Sequence, residues 1–169
     1  KQARVDAAWS EIQNQYQRRF DLVPNLVETV KGAADFEKST LQAVVDARAS
    51  VGKVNLPEGA VSDPAKLAEW SRAQNELGGA LSRLLVVAEQ YPALKATGNF
   101  LSLQDQLEGT ENRIAVARRD YIESVNGYDV GIKRFPGSIL AGMFGFESKA
   151  QLTFEEPVTQ APKVDFGAK

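Results

Sequence analysis

The chain of 169 residues contains no cysteine and no histidine. Without these side chains it cannot build a thiolate nucleophile, a serine–histidine pair, a cysteine- or histidine-ligated zinc site or a Glu-x-x-His di-iron centre. The two absences therefore exclude most mechanisms of small enzymes. The lack of disulfides does not fix the compartment, because a helical domain of this size can be stable without them.

The chain also lacks a large excess of either charge, because it has 20 basic and 22 acidic residues and a net charge of -2. Such a balance provides no general attraction to the phosphates of nucleic acids, and we expect no nucleic-acid partner. The length suits one domain with a continuous core rather than two, so we assign residues 1–169 to a single domain.

Long apolar runs are scarce as well. The longest stretch without a charged side chain is Phe135–Phe146, which has twelve residues and includes Pro136 and three glycines. Such a stretch is too short to span a bilayer. The chain begins at Lys1 rather than at a methionine, and we expect a signal or membrane anchor upstream of it.

What the sequence does contain is helical periodicity. Apolar residues recur at intervals of three and four over residues 3–31, which predicts a long amphipathic helix. Pro24 predicts a kink or break in that helix, or else a new helix starting near the proline, and the unbroken periodicity favours the kink. A second, shorter helix is predicted for Asp35–Val51.

Turn residues in Gly52–Gly59 predict an exposed loop, and Asp63 followed by Pro64 is typical of a helix start. The third helix then continues to Pro92. The pair Gly78–Gly79 lowers helix propensity, and we expect a neighbouring helix to approach closely there.

A fourth helix is predicted from Phe100 to Phe135. Four amphipathic helices with short connections favour an all-α fold, an antiparallel up-and-down four-helix bundle over residues 3–135. A long coiled-coil dimer is the competing architecture, and the loops near Gly52 and Gly98 count against it. The C-terminal tail, residues 136–169, is expected to be irregular or strand-like.

Three acids lie three residues apart on the fourth helix: Asp105, Glu108 and Glu111. They are weak candidates for a divalent-metal site or an acid–base pair. Pairing with basic residues of a neighbouring helix is the commoner role of such a face. We therefore expect no metal, cofactor or catalytic residue.

Basic and aromatic residues also have two interpretations each. The arginines could form an anion-binding patch or could pair between helices and fix their register, and the second is favoured; they are Arg18, Arg19, Arg113, Arg118 and Arg119. The large aromatic residues could line a ligand pocket or could fill the core, and again the second is favoured; they are Trp9, Tyr16, Trp70, Tyr91, Tyr121 and Tyr128.

The segment Phe135–Phe146 could cap one end of the bundle, or it could be exposed and contact a partner or a membrane. The cap is the favoured interpretation. If the segment is exposed, its large apolar side chains are the candidates for an interaction site; they are Phe135, Ile139, Leu140, Met143, Phe144 and Phe146.

Several runs resemble the bacterial LemA family, in the family's order and over nearly the whole chain. They are Ala8–Ser10, Gln17–Val27, Ala47–Arg48, Glu89–Ala96, Thr110–Arg118, Phe135–Pro136 and Gly145–Phe146. The resemblance implies a four-helix bundle tethered to the cell envelope by an N-terminal hydrophobic segment or a lipid-modified cysteine outside this chain. It implies no enzymatic activity and no catalytic residues.

Two functional hypotheses follow. In the first, the chain is a non-catalytic, membrane-anchored protein-interaction module whose partner is another envelope or membrane protein. In the second, it is a small-molecule, lipid or divalent-metal-binding bundle with a pocket between its helices. The lack of histidine and cysteine favours the first hypothesis, and the side of the membrane stays open.

Overall fold

The computed structural model describes residues 1–33, 35–54 and 63–152, and within these ranges the fold is all-α without any strand. Four long helices and two short ones follow one another in these ranges. They are α1 (Gln2–Lys31), α2 (Lys38–Lys53), α3 (Pro64–Ala88), α4 (Pro92–Lys95), α5 (Gly98–Lys133) and α6 (Gly137–Phe144).

Helix α1 continues through Pro24 as one element of 30 residues. The predictions of a break or of a new helix at the proline are therefore wrong. The buried stripe explains why the helix persists, because Val23, Leu26 and Val27 lie against the core on both sides of Pro24. Packing of this stripe offsets the backbone hydrogen bond that the proline cannot donate.

The start of α3 agrees with the sequence prediction, whereas the predicted loop before it agrees only in part. The side chain of Asp63 accepts hydrogen bonds from the backbone N–H of Ala65 at 3.1 Å and of Lys66 at 3.2 Å, which confirms the predicted start of α3. Of the predicted loop Gly52–Gly59, Gly52 and Lys53 still belong to α2. Residues 55–59 lie outside the described residues.

Between α3 and α5 the structure contains the one-turn helix α4, which the sequence analysis did not predict. Tyr91 precedes it, and the Tyr91 hydroxyl donates a hydrogen bond to the carbonyl oxygen of Asp35 at 3.0 Å. The Tyr91 ring also packs on Phe36 with 4.9 Å between ring centroids. These contacts hold the α3–α4 turn against the chain that leads into α2.

The expectation of irregular or strand-like structure is wrong for Gly137–Phe144, which forms helix α6. This segment is apolar on almost every side, so its spacing carries no helical signal. The helix ends at Gly145, whose φ of 67° lies in the left-handed region that favours glycine. Residues 146–152 are non-helical, and residues 153–169 lie outside the described part.

Helix α1 packs along α5, and α2 packs along α3. Their buried faces form two apolar clusters. The aromatic cluster contains Val5, Trp9, Ile12, Tyr16, Leu67, Trp70, Ile114, Ala117, Tyr121, Val125, Tyr128 and Leu152. The aliphatic cluster contains Val23, Leu26, Val27, Val30, Phe36, Val44, Ala47, Leu77, Leu81, Leu84, Ala88, Leu94, Phe100 and Leu107.

Candidate functional site

Between the two clusters lies a buried arginine. The Arg19 side chain is 1% exposed, and one of its terminal nitrogens donates to Glu111 Oε1 at 3.0 Å. The other donates to the backbone carbonyl of Gln74 at 2.6 Å and to Gln74 Oε1 at 2.8 Å. Hydrogen bonds of a charged donor are strong in such surroundings. This arrangement confirms the predicted interhelical pairing for Arg19, and it joins α1 to both α3 and α5.

Gly78 provides the space for this guanidinium. A Cβ atom at position 78 would lie 2.9 Å from a terminal nitrogen of Arg19, whereas a Cβ atom at Gly79 would meet nothing within 4 Å. The sequence pattern correctly marked this pair as a place of close approach. The approaching group at Gly78 is the Arg19 side chain of α1 rather than a helix backbone, and Gly79 takes no part.

A second arginine extends the polar contacts. Arg118 of α5 donates through Nε to the Tyr16 hydroxyl at 2.6 Å and through a terminal nitrogen to Asn75 Oδ1 at 3.1 Å. Burial raises the pKa of Tyr16, and the neighbouring Arg118 partly opposes that rise. We call the six connected side chains the arginine layer; they are Tyr16, Arg19, Gln74, Asn75, Glu111 and Arg118.

The arginine layer has the chemistry of a structural element. Its guanidinium groups are hydrogen-bond donors only, and its one carboxylate, Glu111, is held by Arg19. Sequence reasoning missed Gln74 and Asn75. The available signal was that Gln74 interrupts the apolar stripe of α3 between Trp70 and Leu77, as a buried polar residue does when it has a partner.

The three candidate metal ligands are not brought together. Asp105 and Glu108 are exposed on α5, where Glu108 accepts a hydrogen bond from Gln104 at 3.0 Å. Glu111 instead faces Arg19. Within residues 1–33, 35–54 and 63–152 no group of three or more acidic side chains is placed to hold a metal ion.

The remaining arginines do not form an anion-binding patch around Arg19. Arg18 and Arg113 are exposed, and Arg119 lies 4.0 Å from its chain neighbour Asp120. Arg19 is buried, and the partly buried Arg118 donates to Tyr16 and Asn75, so two of the five charges that such a patch would need are engaged inside the domain.

The aromatic residues fill the core as predicted, except for the partly exposed Tyr91. Trp9 contacts Trp70 with ring centroids 5.2 Å apart, and Tyr16 meets Trp70 edge-on at 4.8 Å. The Tyr121 hydroxyl donates to the carbonyl oxygen of Ala150 at 3.0 Å, which fixes the segment after α6 against α5. These rings fill most of the space between the helices, and Tyr16 and Trp70 also border an open groove of about 360 Å³ between α1, α2 and α3.

The apolar segment 135–146 is exposed, so the favoured interpretation as a cap is wrong for its large side chains. Only Ala141 of α6 is buried. The exposed fractions are 82% for Phe135, 55% for Ile139, 51% for Leu140, 74% for Met143, 68% for Phe144 and 44% for Phe146.

Two shallow grooves run along the outer face of α1 and α5. One has a volume of about 740 Å³ and lies beside Arg4, Ala8 and Val130. The other measures about 290 Å³ and is lined by Glu11, Val116 and Asp120 among others. Asp120 borders both, so the grooves form one band, which we call the α1–α5 face.

As for membrane insertion, every helix in the described part of the chain is too short or too polar to cross a bilayer.

Comparison with known proteins matches the model of the LemA family to residues 8–166. The chain is also similar to the magnetosome proteins MamQ 1 and MamQ 2 of Paramagnetospirillum magneticum, with 28% identity over 162 residues that cover 86% of this chain and 59% of each relative. Magnetosome protein MamQ of Magnetospirillum gryphiswaldense is 31% identical over 90 residues, which cover 53% of this chain and 33% of that protein. The chain thus spans about three fifths of the length of the first two relatives. Since the family model covers nearly the whole sequence, the chain belongs to the LemA family.

Proposed function

We propose that this chain is a non-catalytic helical module of the bacterial cell envelope that binds another envelope protein. Its four long helices form an up-and-down bundle that acts as a rigid support, and sequence outside this chain tethers it to a membrane. The packed core carries this proposal. The arginine layer and the Trp9–Trp70 contact occupy the centre between the helices, and the space beside them is an open groove of about 360 Å³ between α1, α2 and α3.

A module whose core is packed with side chains acts through its outer surface. The α1–α5 face suits a protein partner because apolar side chains such as Ala8, Val116 and Val130 lie among charged ones. Protein interfaces combine an apolar centre with a polar rim in the same way. From residue 112 to residue 130 this face extends about 27 Å along α5. That length suits an interface of standard size.

The relatives support this proposal in general terms. Three of them are named as magnetosome proteins, and a magnetosome is a cellular structure rather than a metabolic reaction. A structural or scaffolding role agrees with such names better than a catalytic one does.

The test is photo-crosslinking in cells that produce the full-length, membrane-tethered protein. A photoreactive residue replaces Val116 on the α1–α5 face, and the control replaces Val86 on α3, which is also an exposed valine. We expect one reproducible protein adduct from position 116 and none from position 86. Absence of an adduct at position 116, or the same adducts from both positions, would contradict the proposal.

The alternative function, a divalent-metal or small-molecule site, is tested by thermal denaturation with a panel of divalent cations. A ligand present at 100 times its dissociation constant stabilises a protein by about 2.7 kcal/mol. We expect no shift of the melting temperature with any cation. A shift that disappears in Glu108→Gln would instead support the acidic face of α5 as a site.

A further inference from the structure

Helix α6 differs from every other helix in the described ranges in having no charged residue and almost no buried surface. Of its eight residues only Ala141 is buried, while Ile139, Leu140 and Met143 are each more than half exposed. A helix that is apolar on most sides is normally enclosed by an apolar environment. The structure leaves this helix on the outside.

The helix is presented in a defined direction. A Cβ atom at Gly137 would lie 2.0 Å from the carbonyl oxygen of Gly131, so the first turn of α6 rests directly on the backbone of α5. After α6, the backbone N–H of Lys149 donates to Asp129 at 3.4 Å, and Ala150 accepts from Tyr121. Both ends of the apolar segment are therefore fixed to α5, and the segment projects as a rigid wedge.

The side chains of the wedge indicate which kind of surface it contacts. Between Arg134 and Glu147 the only side chain that can form a hydrogen bond is that of Ser138. A protein interface has about one hydrogen bond per 100–200 Å² and a polar rim, and this segment offers almost nothing for either. The hydrocarbon part of a bilayer requires no hydrogen bonds at all.

Charge at the base of the wedge agrees with a lipid surface. Lys133 and the exposed Arg134 directly precede it. Lys1 lies at the same end of the molecule, because its side chain approaches Gly131 where α6 also rests. Acidic groups are present too, since Asp129 pairs with Lys133 at 3.2 Å and Glu147 is exposed. These basic residues lie beside the start of the wedge, where lipid phosphates would be if the wedge entered a bilayer.

We propose that α6 and its flanking phenylalanines insert into the headgroup and outer acyl region of a lipid bilayer. Eight helical residues extend about 12 Å, which is far less than the thickness of a membrane, so α6 suits the interfacial region, where the apolar face of a helix lies about 5–10 Å deep. This inference rests on the proposed function only in placing the domain at a membrane. It adds a second, direct contact with the lipid.

The experiment uses the 169-residue chain, which has no cysteine of its own, with one cysteine introduced so that it can be labelled cleanly with an environment-sensitive fluorophore. Met143→Cys places the label on α6, and Val86→Cys is the matched control on α3. Vesicles of phosphatidylcholine and phosphatidylglycerol in equal parts are added. We expect a blue shift and stronger emission from position 143, a weaker response to pure phosphatidylcholine, and no response from position 86.

A second variant keeps the test independent of the label. Ile139→Asp with Phe144→Asp is expected to weaken co-flotation of the chain with the mixed vesicles by at least about tenfold, because charged side chains must leave the apolar phase. The control, Val86→Asp with Leu101→Asp, changes two exposed apolar residues elsewhere and is expected to float like the unchanged chain. Circular dichroism verifies that both variants are folded.

Three results would overturn the inference. The first is that the chain without substitutions does not float with the mixed vesicles. The second is that both double variants lose co-flotation to the same extent. The third is that the label at position 143 responds only when a protein partner is present. None of them bears on the adduct at Val116, so failure of the lipid contact and failure of the protein contact are distinguishable.

Discussion

At the scale of single residues, the domain depends on how Arg19 is accommodated. A buried guanidinium is costly unless its donors have partners, and here Gln74 and Glu111 accept from both terminal nitrogens, while the buried Nε has no hydrogen-bond partner in the described part of the chain. Gly78 is the third requirement because it leaves room for the group. Helix propensity alone would favour alanine at this position, so the glycine reflects packing.

The neighbouring glycines 78 and 79 give a matched prediction. Gly78→Ala is expected to lower the free energy of unfolding by about 1–2 kcal/mol, because the new methyl group displaces Arg19 from its partners and the cost exceeds the gain in helix propensity. Gly79→Ala meets no neighbour and is expected to raise it by about 0.5–1 kcal/mol. Urea denaturation measures both. Equal effects in the two variants would show that the close approach to Arg19 does not matter.

Tyr121 gives a prediction about alkaline pH. Its pKa is raised in the folded protein by burial and, to a smaller extent, by Asp6. In the unfolded chain the hydroxyl ionises near pH 10, while in the folded chain it stays protonated, so the folded state binds more protons. The stabilising contribution is complete below pH 10 and is lost as the pH rises through the folded pKa.

We therefore expect the free energy of unfolding to fall above pH 10 by about 1.4 kcal/mol per pH unit for this tyrosine. Tyr121→Phe is expected to reduce that slope. Chemical denaturation at a series of pH values measures it, and an identical slope in both proteins would exclude Tyr121 as its source.

At the scale of helices and connections, apolar spacing predicted most of what is observed. The stripe on α1 was correct except at Phe20, which is only partly buried while Arg19 beside it is buried, and Asp63 before Pro64 marked the start of α3. The failures share one cause, which is that contacts distant in sequence decide the outcome. The stripe that packs on α5 keeps α1 intact at Pro24, and the one-turn α4 depends on contacts of Tyr91 with Asp35 and Phe36.

Helix α6 is a second element that the local sequence pattern could not predict. Its residues are apolar without periodicity, and nothing in the local pattern separates a strand from a short helix. Its position depends on the contact of Gly137 with the backbone of Gly131, which sequence spacing does not reveal. Exposure of the segment was therefore the less favoured interpretation.

That contact yields a prediction for the element. Gly137→Ala would place a methyl group 2.0 Å from the carbonyl oxygen of Gly131. Because the oxygen belongs to the backbone and the position of Cβ is fixed by the backbone, α6 must move away from α5. Gly142→Ala meets nothing and serves as the control. We expect faster proteolysis between residues 134 and 146 in the first variant and not in the second, measured by limited digestion and mass spectrometry. Equal digestion would contradict the docking of α6 on α5.

At the scale of the whole molecule, the amino-acid composition restricted the possible functions, and the structure showed which surfaces are exposed. The missing histidine and cysteine indicated a non-catalytic protein, and the pairing of Glu111 with Arg19 leaves Asp105 and Glu108 without a third carboxylate. Arg19 is in phase with Tyr16 and Val23 on the α1 stripe and Arg18 is not, but the sequence pattern predicts burial of the apolar Phe20 beside it, so burial of an arginine was not predicted. The α1–α5 face could not be foreseen, since it depends on side-by-side packing of distant segments.

The central claim is that the arginine layer joins α1, α3 and α5 into one rigid body with a packed core. The most direct test is a double-mutant cycle with Arg19→Met, Glu111→Gln and the double variant, using free energies of unfolding from urea denaturation. We predict that the double variant is less destabilised than the sum of the single variants by about 1 kcal/mol or more, because each single change leaves a buried or half-buried charge without its partner. Additivity within about 0.5 kcal/mol would contradict the claim.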